Sequence, residues 1–442
     1  MGARRVLPFG SWSTPITSEI VVWAAASLSG LAIDRDDLWW SELRPDESGR
    51  TVLVRLGADG RPEDVLPPPW DARTRVHEYG GGAWWVHRGE GWFTDYRDQR
   101  LYRLVPGSEP EPVTAEPGVP AGDRYADGVV APDGSVYAVR ERHRAGAEAE
   151  NQIVRIAPTG EVEVVVSGPD FVSDPRPSPD GNRLCWLEWD HPNMPWDSTR
   201  LVVDGRVVAG GATESVFQPA WGPGGSLFFV SDHTGWWNLY RWDPGTDKVA
   251  PVVELKAEIG LPQWVFGQSR YAFLADGTVV FAYQRDGRDH LATWANGAMS
   301  DLAVPDTSIN FVRAGGSTVY YVGASATAEP AVIAVEVDDL KVAARRVLRP
   351  PRDLGIDAGY LSAPEAIDFP TTGEATAHAL FYPPANEDHE GPPGERPPLL
   401  VFIHGGPTSA ARPIFEIDVQ YWTSRGFAVA DVNYRGSTGY GR

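Results

Sequence analysis

Seven short apolar strands rich in aromatics recur along the first 350 residues, and nothing else in the chain constrains its fold as tightly. They read Asp37-Leu-Trp-Trp40, Gly91-Trp-Phe93, Gly134-Ser-Val-Tyr137, Arg183-Leu-Cys-Trp186, Gly225-Ser-Leu-Phe-Phe229, Gly277-Thr-Val-Val-Phe281 and Ser317-Thr-Val-Tyr320. Their aromatic landmarks, from Trp40 to Tyr320, stand about 47 residues apart, a period typical of repeat architectures. Turns of the Pro-Asp-Gly kind precede several of them: Ala131-Pro-Asp-Gly134, Ser178-Pro-Asp-Gly181, Gly222-Pro-Gly-Gly225 and Ala275-Asp-Gly277. Proline fixes φ at a turn's second position and glycine accepts the positive φ that follows, so these are hairpin connections. A partner strand follows in most units, as in Leu101-Tyr-Arg103, Gln152-Ile-Val-Arg155, Leu201-Val-Val203, Leu239-Tyr-Arg241 and Val332-Ile-Ala334. One small antiparallel sheet cannot cover both its faces, whereas blades set radially bury each face on a neighbour. The expected fold is an all-β seven-bladed β-propeller over residues 31–350, with residues 1–30 as a lead-in.

Composition narrows the function. A net charge of −21 and a pI near 4.8 lack the basic footprint that nucleic-acid binding requires. The single cysteine, Cys185, sits in an apolar run and reads as a buried strand residue. The longest apolar stretch, Ile20 to Ile33, is interrupted by Ser27, Ser29 and Gly30, too polar for a membrane span or a signal peptide. A cytoplasmic protein without a membrane partner is the expectation. No His-x-His, His-Glu-x-x-His or nucleotide fingerprint occurs, so neither metal nor cofactor is expected.

Near residue 350 the pattern changes. Arg349-Pro-Pro-Arg352 closes the repeats. Two strands are expected at Glu365–Phe369 and Ala375–Tyr382, then a proline-rich loop. Leu399 to Ile403 follows, five apolar residues that read as a parallel strand buried on both faces. A helix is expected from about Pro413 to Arg425, ended by Gly426, and then a buried strand from Phe427 to Asn433. Strand, helix and strand in that order make a βαβ unit. Residues 351–442 thus read as a second unit built on an α/β sheet, with Phe427–Asn433 as an open edge.

The turn His404-Gly-Gly-Pro407 lies at the carboxyl end of the first of these strands, where open α/β sheets bind ligands. Glycines there let backbone N–H groups approach a substrate, as an oxyanion hole for acyl transfer requires. Gly-x-Ser-x-Gly, the nucleophile elbow, is absent, and Arg435-Gly-Ser-Thr-Gly439 departs from it at the first glycine. Ser437 therefore reads as a loop residue. Two further loops, His77-Glu-Tyr-Gly-Gly-Gly82 and Trp189 to Asp197, serve either as blade-joining turns or as contacts to substrate.

Together the residues resemble the prolyl oligopeptidase family of serine peptidases, particularly its acylaminoacyl peptidase and dipeptidyl aminopeptidase branch. Carrying the resemblance are Phe9-Gly-Ser-Trp12, Pro15-Ile-Thr17, His77-Glu-Tyr-Gly-Gly-Gly82, Ser178-Pro-Asp-Gly181 and above all His404-Gly-Gly-Pro407 with Asn433-Tyr-Arg-Gly-Ser-Thr-Gly-Tyr-Gly441. The repeats alone also look like TolB-type propellers. The resemblance implies a propeller capping an α/β-hydrolase domain, of which residues 351–442 are the incomplete, truncated start, and a short peptide as substrate. It implies a backbone oxyanion donor at Gly406, less surely at Gly405, and a triad located after the Asn-Tyr-Arg-Gly motif, outside this chain. Glu78 is the candidate for holding a substrate's free amino terminus. A non-catalytic peptide- or protein-binding propeller and an esterase on the same scaffold are the alternatives, and homo-oligomerisation stays open.

Overall fold

The computed structural model describes residues 4–23 and 25–442. Seven four-stranded antiparallel sheets follow one another along residues 27–349, each built from four consecutive strands. They form a seven-bladed β-propeller. Every aromatic landmark falls on the second strand of its blade, from Trp40 in Asp37–Arg44 to Tyr320 in Thr318–Ser325. The partner strands recognised in the sequence are the third strands, such as Leu101–Leu104 and Asn238–Asp243. The Pro-Asp-Gly turns close as expected: the N–H of Gly134 donates to Ala131 O at 2.9 Å, and that of Gly181 to Ser178 O at 2.8 Å.

The ring closes by packing. Leu28, Leu31, Trp40 and Val54 of the first blade share a core with Val322 and Val332 of the seventh, and Arg349 reaches Glu42 at 3.1 Å across the seam. Cys185 is fully buried within the fourth and fifth blades' shared core, where desolvation pushes its thiol far above the ordinary range.

Innermost strands carry a feature that composition hides. In five blades the first strand bulges at a residue with positive φ: Gly30, Asp127, Asp174, Gln218 and Phe311. Each bulge shifts the register, as between Ser173 and Arg176, and re-aims the side chains that follow. Around the axis this brings Asp127 and Asp174 to Arg176, at 2.8 and 2.9 Å.

The second unit is a mixed sheet in the order Glu365–Pro370, Thr376–Tyr382, Ala428–Asn433, Leu399–Ile403. Ala428–Asn433 runs parallel to Leu399–Ile403 and antiparallel to Thr376–Tyr382. It is the start of an α/β-hydrolase sheet. Two expectations need correction here. Ala428–Asn433 is an inner strand and not the edge, because the preceding hairpin pairs on its far side. Leu399–Ile403 takes the edge, and it is covered on one face only, with Leu399, Val401 and Ile403 54, 56 and 68% exposed. The helix is also shorter than expected, Ile417–Thr423. Pro413 and a tight turn at Arg412–Ile414 delay its start. At its end Gly426 adopts φ +94°, and a Cβ there would meet Trp12 at 3.0 Å.

Residues 5–16 of the lead-in are held by the second unit rather than by the propeller. Arg5–Val6 pairs with His389–Glu390, Gly10 N donates to Arg425 O at 3.0 Å, and Arg425 donates to Ile16 O at 2.9 Å. Phe9-Gly-Ser-Trp12 is therefore a clasp that locks the helix end. Ile20 to Ile33, read as one stretch, divides into the helix Ser18–Val22 and the first propeller strand, Ser27–Asp34.

Candidate active site

Leu399–Ile403 delivers His404, Gly405 and Gly406 to the face turned towards the propeller. Gly406 has φ +140°, which an L side chain rarely adopts, and a Cβ on it would lie 2.8 Å from Thr408 N. Gly405 and Gly406 are exposed, and among the described residues neither N–H is taken up by an intramolecular acceptor. Two unspent donors at the carboxyl end of a parallel strand can stabilise a developing oxyanion.

The turn is held from three sides. His404 stacks on Tyr434 at 4.5 Å. Its Nδ1–H is directed at Gly405 O, 2.9 Å away, which leaves Nε2 to accept the Ser437 hydroxyl at 2.8 Å. Asn433 closes the far side, accepting from Ala411 N at 2.7 Å and donating to Ala411 O at 3.2 Å. From the propeller, the indole N–H of Trp264 donates to Thr408 O at 2.8 Å. The motifs His404–Pro407 and Asn433–Gly441 thus form one braced unit, and Ser437 is a brace on a loop.

The two loops singled out in the propeller converge on one cavity, which Trp264 also lines. His77, Glu78 and Tyr79 from one, and Trp189, Met194 and Trp196 from the other, line a cavity of about 830 Å³. His77 packs between Phe171 and Trp189, at 5.1 and 5.6 Å. Desolvation lowers its pKa from 6.5 to about 4, against the pull of Glu141, so the imidazole is neutral. The wall is mainly apolar and aromatic, and it carries four carboxylates, Glu78, Glu141, Glu148 and Asp170, with no lysine or arginine. Glu141 is engaged by His77 N at 2.7 Å and His143 Nε2 at 2.6 Å. Glu78 extends outward with its side chain 77% exposed and touches Arg124 at 3.0 Å.

Sequence reading missed the connection between the fifth and sixth blades. Its segment 261–267 crosses the propeller's mouth. Phe266 bridges Gly81, Gln263 reaches Asp174 at 2.9 Å, and Trp264 packs between Tyr79 and Trp196 at 5.2 and 4.4 Å. The only hint was an aromatic pair, Trp264 and Phe266, in a stretch too rich in Gly and Pro to be a strand.

No family model and no curated protein matches the chain. Solved structures do. A Mycobacterium tuberculosis puromycin-hydrolyzing peptidase is 37% identical, with a TM-score of 0.92, over 99% of this chain and 71% of that one. A puromycin hydrolase is 34% identical, with a TM-score of 0.91, over 99 and 70%. A Pyrococcus horikoshii acylaminoacyl peptidase shares the fold at 16% identity, with a TM-score of 0.64, over 94 and 66%. The propeller, the hydrolase sheet with its braced glycine turn and a match over nearly all of this chain to 71 and 70% of the two puromycin-hydrolysing enzymes agree: the chain belongs to the prolyl oligopeptidase family of serine peptidases.

Proposed function

We propose that this chain forms the substrate-selecting and oxyanion-stabilising part of a peptidase that removes amino-terminal residues from short peptides and related amides. The observation that carries the reading is a cavity of about 830 Å³ that holds four carboxylates and is joined to the glycine turn through Trp264, which lines it and donates to Thr408 O at 2.8 Å. A substrate's ammonium group lies among Glu78, Glu148 and Asp170, while the aromatic walls take its side chain and exclude water. Neutral His77 adds no opposing charge. Arg124 is the one cation paired with Glu78 and is itself shared with Glu141.

The chemistry is acyl transfer. A serine hydroxyl adds to the scissile carbonyl, a base takes its proton, and the carbonyl oxygen becomes an oxyanion that the Gly406 N–H, aided by that of Gly405, stabilises. Collapse of the intermediate expels the amine and leaves an acyl-enzyme that water hydrolyses. By the resemblance to this family, the serine, its base and its acid come from sequence that follows the Asn433–Gly441 motif in the full-length protein. Propeller and hydrolase face each other across the site, so only substrates small enough for the intervening space are accepted.

The test is a panel of p-nitroanilides on the full-length protein: alanyl, alanyl-alanyl and acetyl-alanyl, with puromycin and p-nitrophenyl acetate alongside. Hydrolysis of the free-amine compounds at least about tenfold faster than the acetylated one supports the reading, and Glu78→Gln should raise KM for them. Preference for the acetylated substrate, or turnover of the ester alone, overturns it.

A further inference from the structure

We infer that Trp264 is a positioning residue that couples occupancy of the propeller cavity to the geometry of the oxyanion turn. The inference rests on the reading of Gly406 as an oxyanion donor. Trp264 lies on the segment that crosses the propeller's mouth, and its two ends do different things. Its ring is a wall of the substrate cavity, held between Tyr79 and Trp196. Its N–H donates to Thr408 O at 2.8 Å, two residues after Gly406. Among the described residues, no other side chain of this segment bonds residues 404–408.

The segment is itself fixed at both flanks. Phe266 N donates to Gly80 O at 3.0 Å, and Gly81 lies so close that an added Cβ would stand 2.6 Å from Phe266 O. Gln263 donates to Asp174, in the ionic cluster on the propeller axis. Rigid supports on both sides leave the indole as the movable link. A substrate that fills the cavity presses on the ring and, through the N–H, sets where Thr408 and therefore Gly406 stand. Ring and N–H should then have separable effects, because the first touches substrate and the second touches only the turn. A positional error of about 1 Å in such a turn can lower turnover by up to about a hundredfold.

Steady-state kinetics of the full-length peptidase on an aminoacyl p-nitroanilide separates the two. Trp264→Phe keeps an aromatic ring in the cavity wall and deletes the N–H, so kcat should fall about tenfold with KM within about twofold of wild type. Trp264→Ala should lower kcat and raise KM together. An unchanged kcat in Trp264→Phe, or a loss confined to KM, overturns the proposal. Should wild type not turn over the substrate, the parent reading fails instead. The coupling is then read from the Trp264 indole ¹H–¹⁵N resonance in the wild-type chain on adding Ala-Ala. A shift supports the link, and its absence at saturation of the cavity overturns it.

Discussion

Arg270 and Asp289 form a fully enclosed ion pair whose loss should be among the most damaging single changes available to the propeller. Arg270 precedes the sixth blade's first strand, Tyr271–Phe273, and Asp289 lies in its third, Arg288–Ala295. Their side chains are 0 and 4% exposed. The two guanidinium nitrogens meet the two carboxylate oxygens at 3.0 and 2.8 Å. Arg270 also donates to Ile259 O at 3.1 Å and to Ile309 O, and Asp289 accepts from Ile309 N at 2.7 Å. The pair therefore joins the mouth-crossing connection to the sixth and seventh blades. Burial pushes the Asp289 pKa up, yet the charge and hydrogen bonds of Arg270 more than reverse this and hold it low. Removing one partner strands a buried charge, at about 3–5 kcal/mol. Because Arg412 also reaches Asp289 electrostatically, Arg270→Met should fall near the lower end, about 3 kcal/mol. Urea denaturation followed by far-UV circular dichroism measures it. The defect should shrink as pH falls towards 4, since Asp289 can then take up a proton and shed its unpaired charge. The double variant Arg270→Met/Asp289→Leu should recover much of the loss, because neither member of the pair is left as a lone buried charge. A loss under about 1 kcal/mol, or a double variant as damaged as the two singles combined, would refute the argument.

Three further outcomes are expected. His77 has its pKa lowered from 6.5 to about 4 by burial, so the unfolded state takes up a proton first on acidification. Stability should drop by about 2–3 kcal/mol as pH falls from 6.5 to 4, and His77→Asn, which tolerates the φ of +53°, should flatten that part of the profile. An unaltered profile would show that His77 is not the group responsible. Gly81→Ala places a Cβ 2.6 Å from Phe266 O at φ +84°. The backbone conformation alone costs about 1–2 kcal/mol, so a denaturation midpoint equal to wild type would contradict the described approach. Finally, a fluorophosphonate probe should leave residues 1–442 unlabelled, since Ser437 sits on a loop as a brace for His404. Labelling abolished by Ser437→Ala would make Ser437 a nucleophile.

Legibility followed burial. Second and third strands sit in the middle of each blade, so Trp40, Trp186, Phe281 and Val332 are apolar and visible in the sequence. Outer strands such as Pro62–Asp64 and Glu111–Pro112 face solvent and carry no such signal. Inner strands are interrupted by bulges, where Asp127 or Asp174 replaces the alternation of a regular strand. The glycine turn was readable because its chemistry is local to four residues. Trp264 was not, because its role comes from a contact with Thr408, 144 positions away. The misplaced sheet edge has a similar origin: pairing order depends on the hairpin 365–382, and a run of apolar residues cannot say which neighbour it pairs with.

One measurement bears on both halves of the account, the oxyanion turn and the amine-binding cavity: a crystal structure of the full-length protein with an alanyl boronate bound to its nucleophile. The account predicts a boronate oxygen about 2.7–3.1 Å from the Gly406 nitrogen, with the inhibitor's ammonium group among the carboxylates of the cavity that Glu78 and Trp264 line. A boronate oxygen turned away from Gly406, or an ammonium group pointing out of that cavity, would contradict it.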